Sequence, residues 1–147
     1  MRWLTDDEQR AWRAYLEATR LLMQALDRQL MQDSGISLAD FELLVALSEA
    51  PDRSMRMRDL ADAVVTTRSG ASRAIGRLVD AGWVLRKECE DDKRGMVAEL
   101  TEDGMVKLES SSPEHVETVR GAMFAHLESG DVQSLTRIFS GIRERTR

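Results

Sequence analysis

The run from Leu60 to Thr101 constrains the fold of this chain more than any other segment. It begins with two stretches of helical periodicity that end at Gly82, and continues with a short alternating segment, a charged turn and a second short segment. Two helices joined by a turn and followed by a hairpin are typical of a winged helix-turn-helix. We therefore predict a mostly α-helical fold with a small β-wing.

The segment before this unit is predicted to form one long helix. Thr5 and Glu8 have the spacing of a capping box, in which each side chain bonds a backbone amide of the first turn. Apolar side chains then recur every three or four residues, and Gly35 is expected to end the helix. Such a helix is about 45 Å long, which is more than a small winged unit covers. Part of its apolar stripe is therefore expected to pack against another chain.

The segment after this unit is also predicted to be helical. Thr101 is expected to begin a helix that Pro113 interrupts or kinks, because proline lacks a backbone N–H. The last part of the chain has the periodicity of a further amphipathic helix. We therefore predict a winged helix-turn-helix over residues 37–100 and a helical region formed by residues 1–36 and 101–147, to which the family resemblance described below gives the role of dimerisation.

Charge is distributed unevenly along the chain. The protein carries 21 Lys and Arg against 26 Asp and Glu, and this net charge of −5 disfavours binding to nucleic acid. Residues 53–94 nevertheless hold 10 basic and 7 acidic residues, whereas residues 1–52 hold 5 and 10, and residues 95–147 hold 6 and 9. The positive charge thus falls within the predicted winged unit, as DNA binding requires.

The helix that ends at Gly82 is predicted to have two different faces. The apolar face is expected to be buried, and it consists of Ala71, Ala74, Ile75, Leu78 and Ala81. The polar face is expected to enter a major groove of double-stranded DNA, and it consists of Arg68, Ser69, Ser72, Arg73 and Arg77. Arginine suits this role because its guanidinium pairs with two acceptors of guanine or phosphate. Gly76 lies within the polar face, where its missing side chain favours close approach to DNA. The alternative is a solvated basic helix face.

The residues after this helix carry a family motif. Asp92, Arg94, five further residues, Leu100 and Thr101 match the wing signature Asp-x-Arg-x5-Leu-Thr of the multiple antibiotic resistance regulators, the MarR family. The interval between the upstream Leu-Ala pair and the glycine that ends the recognition helix also equals that of the family. With the long first helix and the helices after the wing, the chain resembles the MarR family over essentially its whole length.

The resemblance implies a sequence-specific transcriptional regulator, more often a repressor than an activator. It implies a homodimer built from the first and last helices, in which each subunit presents a winged helix to half of a palindromic operator. It also places Arg94 at the minor groove or its phosphates, and gives Asp92 the role of holding that arginine. An arginine at the tip of a turn suits the negative potential of a narrow groove. A solvated turn with a weak surface ion pair is the alternative for these two residues.

The resemblance further implies a small-molecule effector, often an aromatic acid, in a crevice between the helical region and the winged unit. Trp12, Tyr15 and Phe41, with Arg13 nearby, are the candidates for lining it. Packing in the core or the dimer is the competing explanation for each aromatic side chain.

The remaining polar residues predict neither catalysis nor a cofactor. His115, His126 and Cys89 lack the spacing of metal ligands and fall on different predicted elements. As the single cysteine, Cys89 cannot form an intrachain disulfide, and we expect a half-buried strand residue there rather than a redox switch. The sequence has neither a signal-peptide pattern nor a membrane-spanning window, so we expect a cytoplasmic protein that does not contact membranes. A winged helix that serves only as a protein-interaction module is the rival to DNA binding; the acidic net charge favours it and the arginine-rich face disfavours it.

Overall fold

The computed structural model describes residues 1–64, 67–91 and 95–147, and of Arg68 it describes the backbone only. This part of the chain contains six α-helices and three short β-strands. In chain order the elements are α1 (Asp6–Ser34), α2 (Leu38–Glu49), β1 (Ser54–Arg56), α3 (Met57–Ala63), α4 (Arg68–Asp80), β2 (Val84–Glu88), β3 (Met96–Leu100), α5 (Glu102–Val119) and α6 (Asp131–Thr146). The predicted mostly α-helical fold with a small β-wing is confirmed.

Helix α1 begins and ends where its sequence predicts. The Thr5 hydroxyl accepts a hydrogen bond from the Glu8 amide at 3.2 Å, and the Glu8 carboxylate accepts one from the Thr5 amide at 2.7 Å. These are the two bonds of a capping box. Gly35 ends the helix at φ 65°, a left-handed conformation that glycine adopts without strain. Within α1, which is described throughout, only Leu26 and Leu30 are buried, so most of its apolar stripe is exposed.

The three strands form one antiparallel sheet with the order β1-β3-β2. β2 and β3 form the predicted hairpin, which begins with Val84 opposite Leu100, and the Cys89 amide donates to the Gly95 carbonyl at 2.8 Å beside the tip. β1 was not predicted, because three residues are too few to show an alternating pattern. Cys89 is half-buried and lies one residue beyond β2.

One apolar core connects the helical region with the winged unit. Its members with no exposed surface (0%) are Leu30, Leu44, Leu47, Leu60, Ile75, Val84 and Ala98. Leu30 of α1 and Leu108 of α5 belong to the same cluster as the residues of the winged unit. Because burial of each leucine or isoleucine contributes about 1.5–3 kcal/mol, this shared core fixes the winged unit against α1 and α5.

Helix α5 runs through Pro113 without the interruption that was one of the two predicted outcomes. Proline removes one backbone donor, but the buried residues Leu108 and Ser111 hold this part of α5 in the core. The hydroxyl of Ser111 also donates to the Lys107 carbonyl at 2.8 Å, within the same helix. The helix changes instead at Arg120–Phe124, where one turn is a π-helix.

Helix α6 packs little against the core. None of its 16 residues, all of them described, is buried. Ile138, Phe139 and Ile142 expose 44%, 40% and 44% of their surface. The rings of Phe139 and Tyr15 lie 6.3 Å apart, which joins α6 to the N-terminal half of α1 in one apolar surface. A contiguous exposed apolar surface of this kind is typical of an interaction site. No helix in the described ranges is both long enough and apolar enough to cross a membrane.

Candidate nucleic-acid interface

Helix α4 is oriented by its apolar face. Thr67 caps it, since its hydroxyl accepts from the Gly70 amide at 3.0 Å. Four predicted core residues are buried, namely Ala71 (0%), Ala74 (7%), Ile75 (0%) and Leu78 (1%). Ala81, also predicted to be buried, is exposed because α4 ends at Asp80 and Ala81 begins the turn that follows. The opposite face of α4 is therefore directed away from the core.

The exposed face of α4 carries the predicted groove residues. Ser69, Ser72, Arg73 and Arg77 are all exposed on this helix. The side chain of Arg68 lies outside the described part of the structure, as do Asp92 and Arg94 at the wing tip. The structure thus brings four of the six predicted DNA-binding residues onto one face.

Arg77 also has a structural partner. Its Nη2 donates to Oδ1 of Asp40 at 2.8 Å and its Nε donates to Oδ2 at 3.4 Å. The Asp40 side chain is only 14% exposed, and its hydrogen bonds raise the pKa of the Arg77 guanidinium. Asp40 was missed by the sequence analysis, because nothing in a helical wheel of α4 indicates which residue of α2 faces it. The pair ties the C-terminal half of α4 to the first turn of α2.

We expect the Arg77–Asp40 pair to stabilise the fold modestly. In a double-mutant cycle of Arg77→Ala and Asp40→Ala, the coupling free energy should be about 0.5–1 kcal/mol, since Arg77 is largely exposed. Urea denaturation of the four proteins at one protein concentration measures it. Strict additivity of the two single changes would show that the pair contributes no stability.

Arg86 of β2 lies across the exposed face of α4. Its Nη2 donates to the Ser72 carbonyl at 2.5 Å and lies 3.3 Å from the Ser72 hydroxyl. A side chain at Gly76 would begin 3.9 Å from the same nitrogen. This is ordinary van der Waals contact, so the position of Arg86 does not require glycine at 76. Arg86 was also missed, although an exposed arginine in the strand next to a recognition helix is a usable signal.

The junction between α4, the hairpin and α5 is held by Thr101. Its hydroxyl donates to the Gly82 carbonyl at 2.7 Å and accepts from the Gly104 amide at 3.0 Å, while its amide donates to the Trp83 carbonyl at 3.0 Å. Leu100 beside it is 4% exposed. The Leu-Thr end of the wing motif therefore has a structural role, which is to fix the base of the wing against the end of α4.

Lys107 connects this junction to α1. Its ammonium group donates to the carbonyl of Ser34, the last residue of α1, and lies 5.2 Å from the centre of the Trp83 ring. A cation at a helix C-terminus and over an indole ring is favourable in both contacts. The end of the long helix and the start of β2 are therefore linked through one side chain of α5.

The three aromatic residues predicted to line an effector site do not come together. The rings of Trp12 and Tyr15 stack at 5.8 Å on the exposed part of α1, whereas Phe41 is 5% exposed and lies 4.6 Å from the His115 ring. Phe41 lines a cleft of about 1060 Å³ between α1, α2, β1, α3 and α5. Trp12, Tyr15 and Arg13 are not among the described residues of this cleft, because its wall on α1 begins at Met23. A helix advances by about 1.5 Å per residue, so Met23 lies about 12 Å beyond Tyr15.

The histidines and the cysteine are placed apart as well. His115 lines the cleft, while Cys89 follows β2, and His126 lies in the turns between α5 and α6. In the described part of the chain, no group of three His, Cys, Asp or Glu side chains has the arrangement of a metal site. Burial lowers the pKa of His115, so its imidazole is uncharged near neutral pH.

The chain is similar to known transcriptional regulators over its whole length. The sequence profile of the MarR family matches residues 34–95. A MarR family transcriptional regulator from Streptomyces coelicolor, crystallised in complex with DNA, is 44% identical, with a TM-score of 0.95 over 100% of this chain and 92% of that one. A second one from the same organism, AbsC, is 41% identical, with a TM-score of 0.92 over 100% of this chain and 99% of that one.

Curated relatives match over a shorter stretch. The transcriptional repressor MprA of Escherichia coli is 30% identical over 88 residues, which are 59% of this chain and 50% of MprA. The chain thus spans about half the length of the curated relatives that it matches.

Proposed function

Because the chain belongs to the MarR family of transcriptional regulators, we propose that it binds DNA sequence-specifically and represses transcription as a homodimer on a palindromic operator. The observation that carries this proposal is the 44% identity, over the whole chain, to a family member crystallised with DNA. Family members are regulators and not enzymes. We place this protein in the cytoplasm, which fits a DNA-binding regulator of this family.

The winged unit of residues 37–100 is the DNA-binding part in this proposal. α4 enters the major groove, with Ser69, Ser72 and Arg73 on its exposed face. Arg68 and Arg77 flank them in sequence. Arg94 contacts the minor groove, and Asp92 holds that arginine in place. Phosphate contacts from these arginines supply most of the affinity, and contacts to base edges supply the specificity.

Helices α1 and α6, from residues 1–36 and 101–147, form the dimer interface in this proposal. The support is their exposed apolar surface, which includes Trp12 (51%), Leu16 (46%) and Ile138 (44%). Two-fold symmetry then places two winged units about 34–36 Å apart, so that they meet successive turns of one face of DNA.

We expect the change Ile138→Asp to dissociate the dimer. Burial of one isoleucine is worth about 1.5–3 kcal/mol, and symmetry removes it twice, so the dimer dissociation constant should rise by about 100-fold or more. Sedimentation equilibrium measures this constant. Gln133→Asp, on the same helix but not in its apolar face, introduces the same charge and should leave the dimer intact. An Ile138→Asp protein that remains dimeric would remove α6 from the interface.

Titration of labelled DNA tests the function directly. The DNA upstream of the protein's own gene and a random-sequence selection library are titrated at two salt concentrations, with excess non-specific competitor. Competitor-resistant binding should weaken by about a thousand-fold between about 50 and 200 mM salt if each dimer contacts six or more phosphates. If neither the upstream DNA nor the library is bound, the chain is instead a protein-interaction module.

We further propose that a small effector controls DNA binding from the cleft that Phe41 lines. The cleft lies between the helical region and the winged unit, where a bound molecule contacts both α1 and α3. A ligand that fits one relative position of these parts better than another shifts the separation of the two winged units. Lys107, which joins the end of α1 to Trp83, lies on the same boundary.

A further inference from the structure

The walls of the cleft between α1, α2, β1, α3 and α5 are apolar along most of their surface. Met23, Leu26, Phe41, Val45 and Met55 supply this surface. The volume of about 1060 Å³ lies at the upper end of what drug-sized ligands occupy. Methionine side chains adapt to ligands of different shape, so the cleft suits the apolar body of an organic molecule.

The charged residues of the cleft are mainly acidic. Among its described lining residues, the carboxylates are those of Glu42, Glu49 and Asp59, and the one guanidinium is that of Arg56. The charge of Asp59 is partly offset by Arg58, 3.6 Å away. Of the remaining charged lining residues, the two glutamates of α2 are negative and Arg56 is positive, so negative charge is in excess. His115 adds no positive charge near neutral pH, because burial lowers its pKa.

Glu42 is the carboxylate best placed to meet a ligand. It follows Phe41 in α2, and both residues line the cleft. Although the residue as a whole is exposed, the protein around its carboxyl raises its pKa by desolvation. A positive charge beside this carboxylate would offset the cost of that desolvation, whereas a ligand carboxylate would add to it.

We propose that the cleft binds a small organic cation, an amine or quaternary ammonium with an aromatic or other apolar body, whose charge pairs with Glu42. This class is opposite in charge to the aromatic acids that the family resemblance implies. The inference rests on the proposed function, because it names the chemical class of the effector proposed there.

Three probes that share one ring system test the charge preference. They are 1-naphthylmethylammonium, the neutral 1-naphthylmethanol and the anion 1-naphthylacetate. Isothermal titration calorimetry of the full-length protein without DNA gives the three dissociation constants. We expect the cation to bind about ten-fold more tightly than the alcohol, and the acid to bind most weakly. Tightest binding of the acid, equal affinity for all three, or no binding of any probe would overturn the proposal.

The variant Glu42→Gln locates the charge preference. It keeps the size of the side chain, so the preference for the cation over the alcohol should fall from about ten-fold to near unity. Glu109→Gln, on α5 and not among the described lining residues, removes the same charge and should retain the preference. A preference that survives in Glu42→Gln excludes Glu42 as the partner.

The operator titration separates this inference from the function on which it rests. A protein that binds the operator but shows no preference for the cation keeps the proposed function and loses the inference. A protein that binds the cation through Glu42 but no DNA keeps the cation site, and the proposed function fails.

Discussion

Replacing Arg73 by alanine will lower the affinity for operator DNA by about 30-fold or more. Arg73 is exposed in the middle of α4, on the face opposite the buried Ala71 and Ile75. Loss of one arginine contact to a base or phosphate costs about 1–3 kcal/mol, and a symmetric dimer loses two. The resulting cost of about 2–6 kcal/mol corresponds to a factor between about 30 and 10⁴. Fluorescence anisotropy with labelled operator DNA measures it.

Arg28→Ala is the matched control for this change. Arg28 is exposed on α1, and it lies between the buried Leu26 and Leu30 in sequence, so a helical wheel places it away from the core. The change Arg28→Ala removes one positive charge, as Arg73→Ala does, and should change the affinity for DNA only slightly. Sedimentation should find both variants dimeric. Unchanged operator affinity of a folded, dimeric Arg73→Ala protein would exclude Arg73 from the interface.

Replacing Gly104 by alanine will destabilise the protein by at least about 2 kcal/mol. Gly104 lies in the first turn of α5, where an added Cβ would be 2.1 Å from the Trp83 carbonyl oxygen and 2.7 Å from a methyl group of Leu100. Relief of this clash must move backbone, because the nearest atom belongs to the main chain. The Thr101 amide donates to that same carbonyl, so the base of the wing moves with it. Urea denaturation measures the loss of stability, and the operator titration should show weaker binding.

Gly121→Ala provides the contrast. Gly121 lies in the exposed π-helical turn after α5, with no described atom within 4 Å of the position of an added Cβ. Alanine there should be neutral or stabilising by up to about 1 kcal/mol, because it reduces the freedom of the unfolded chain. Equal stability of the Gly104→Ala and wild-type proteins would show that the junction adapts at little cost.

The local signals in this sequence predicted most of the fold. Capping residues such as Thr5 and Thr101 mark helix starts through hydrogen bonds within one turn, so the sequence contains all that is needed to find them. Burial on α4 followed in the same way from helical periodicity, up to the end of the helix. The interruption considered at Pro113 does not occur, since the prediction weighed one lost backbone donor and could not weigh the packing of Leu108. β1 was missed because it is defined by its pairing with β3, and not by its own pattern.

In the candidate site, too, features that depend on one helix could be predicted, and contacts between distant residues could not. The exposure of Arg73 could be predicted, because it depends on its own helix. The contacts of Arg77 with Asp40, and of Arg86 with Ser72, join residues that are far apart in sequence. The separation of Tyr15 from the cleft that Phe41 lines also depends on where the other helices pack along α1, which the sequence alone does not give. The requirement for glycine at position 104 also arises only once the hairpin lies against α5.

The absence of buried residues from α6 has a consequence for how this regulator responds to its own abundance. If the apolar surfaces of α1 and α6 are covered only in the dimer, folding and association are one equilibrium, and the free energy of unfolding per dimer falls by about 1.4 kcal/mol for each ten-fold dilution. Below the dimer dissociation constant, the amount of dimer rises with the square of the protomer concentration. Operator occupancy then follows a steeper dose-response curve than a monomeric repressor gives, so a two-fold change in expression becomes nearly a four-fold change in DNA-binding species.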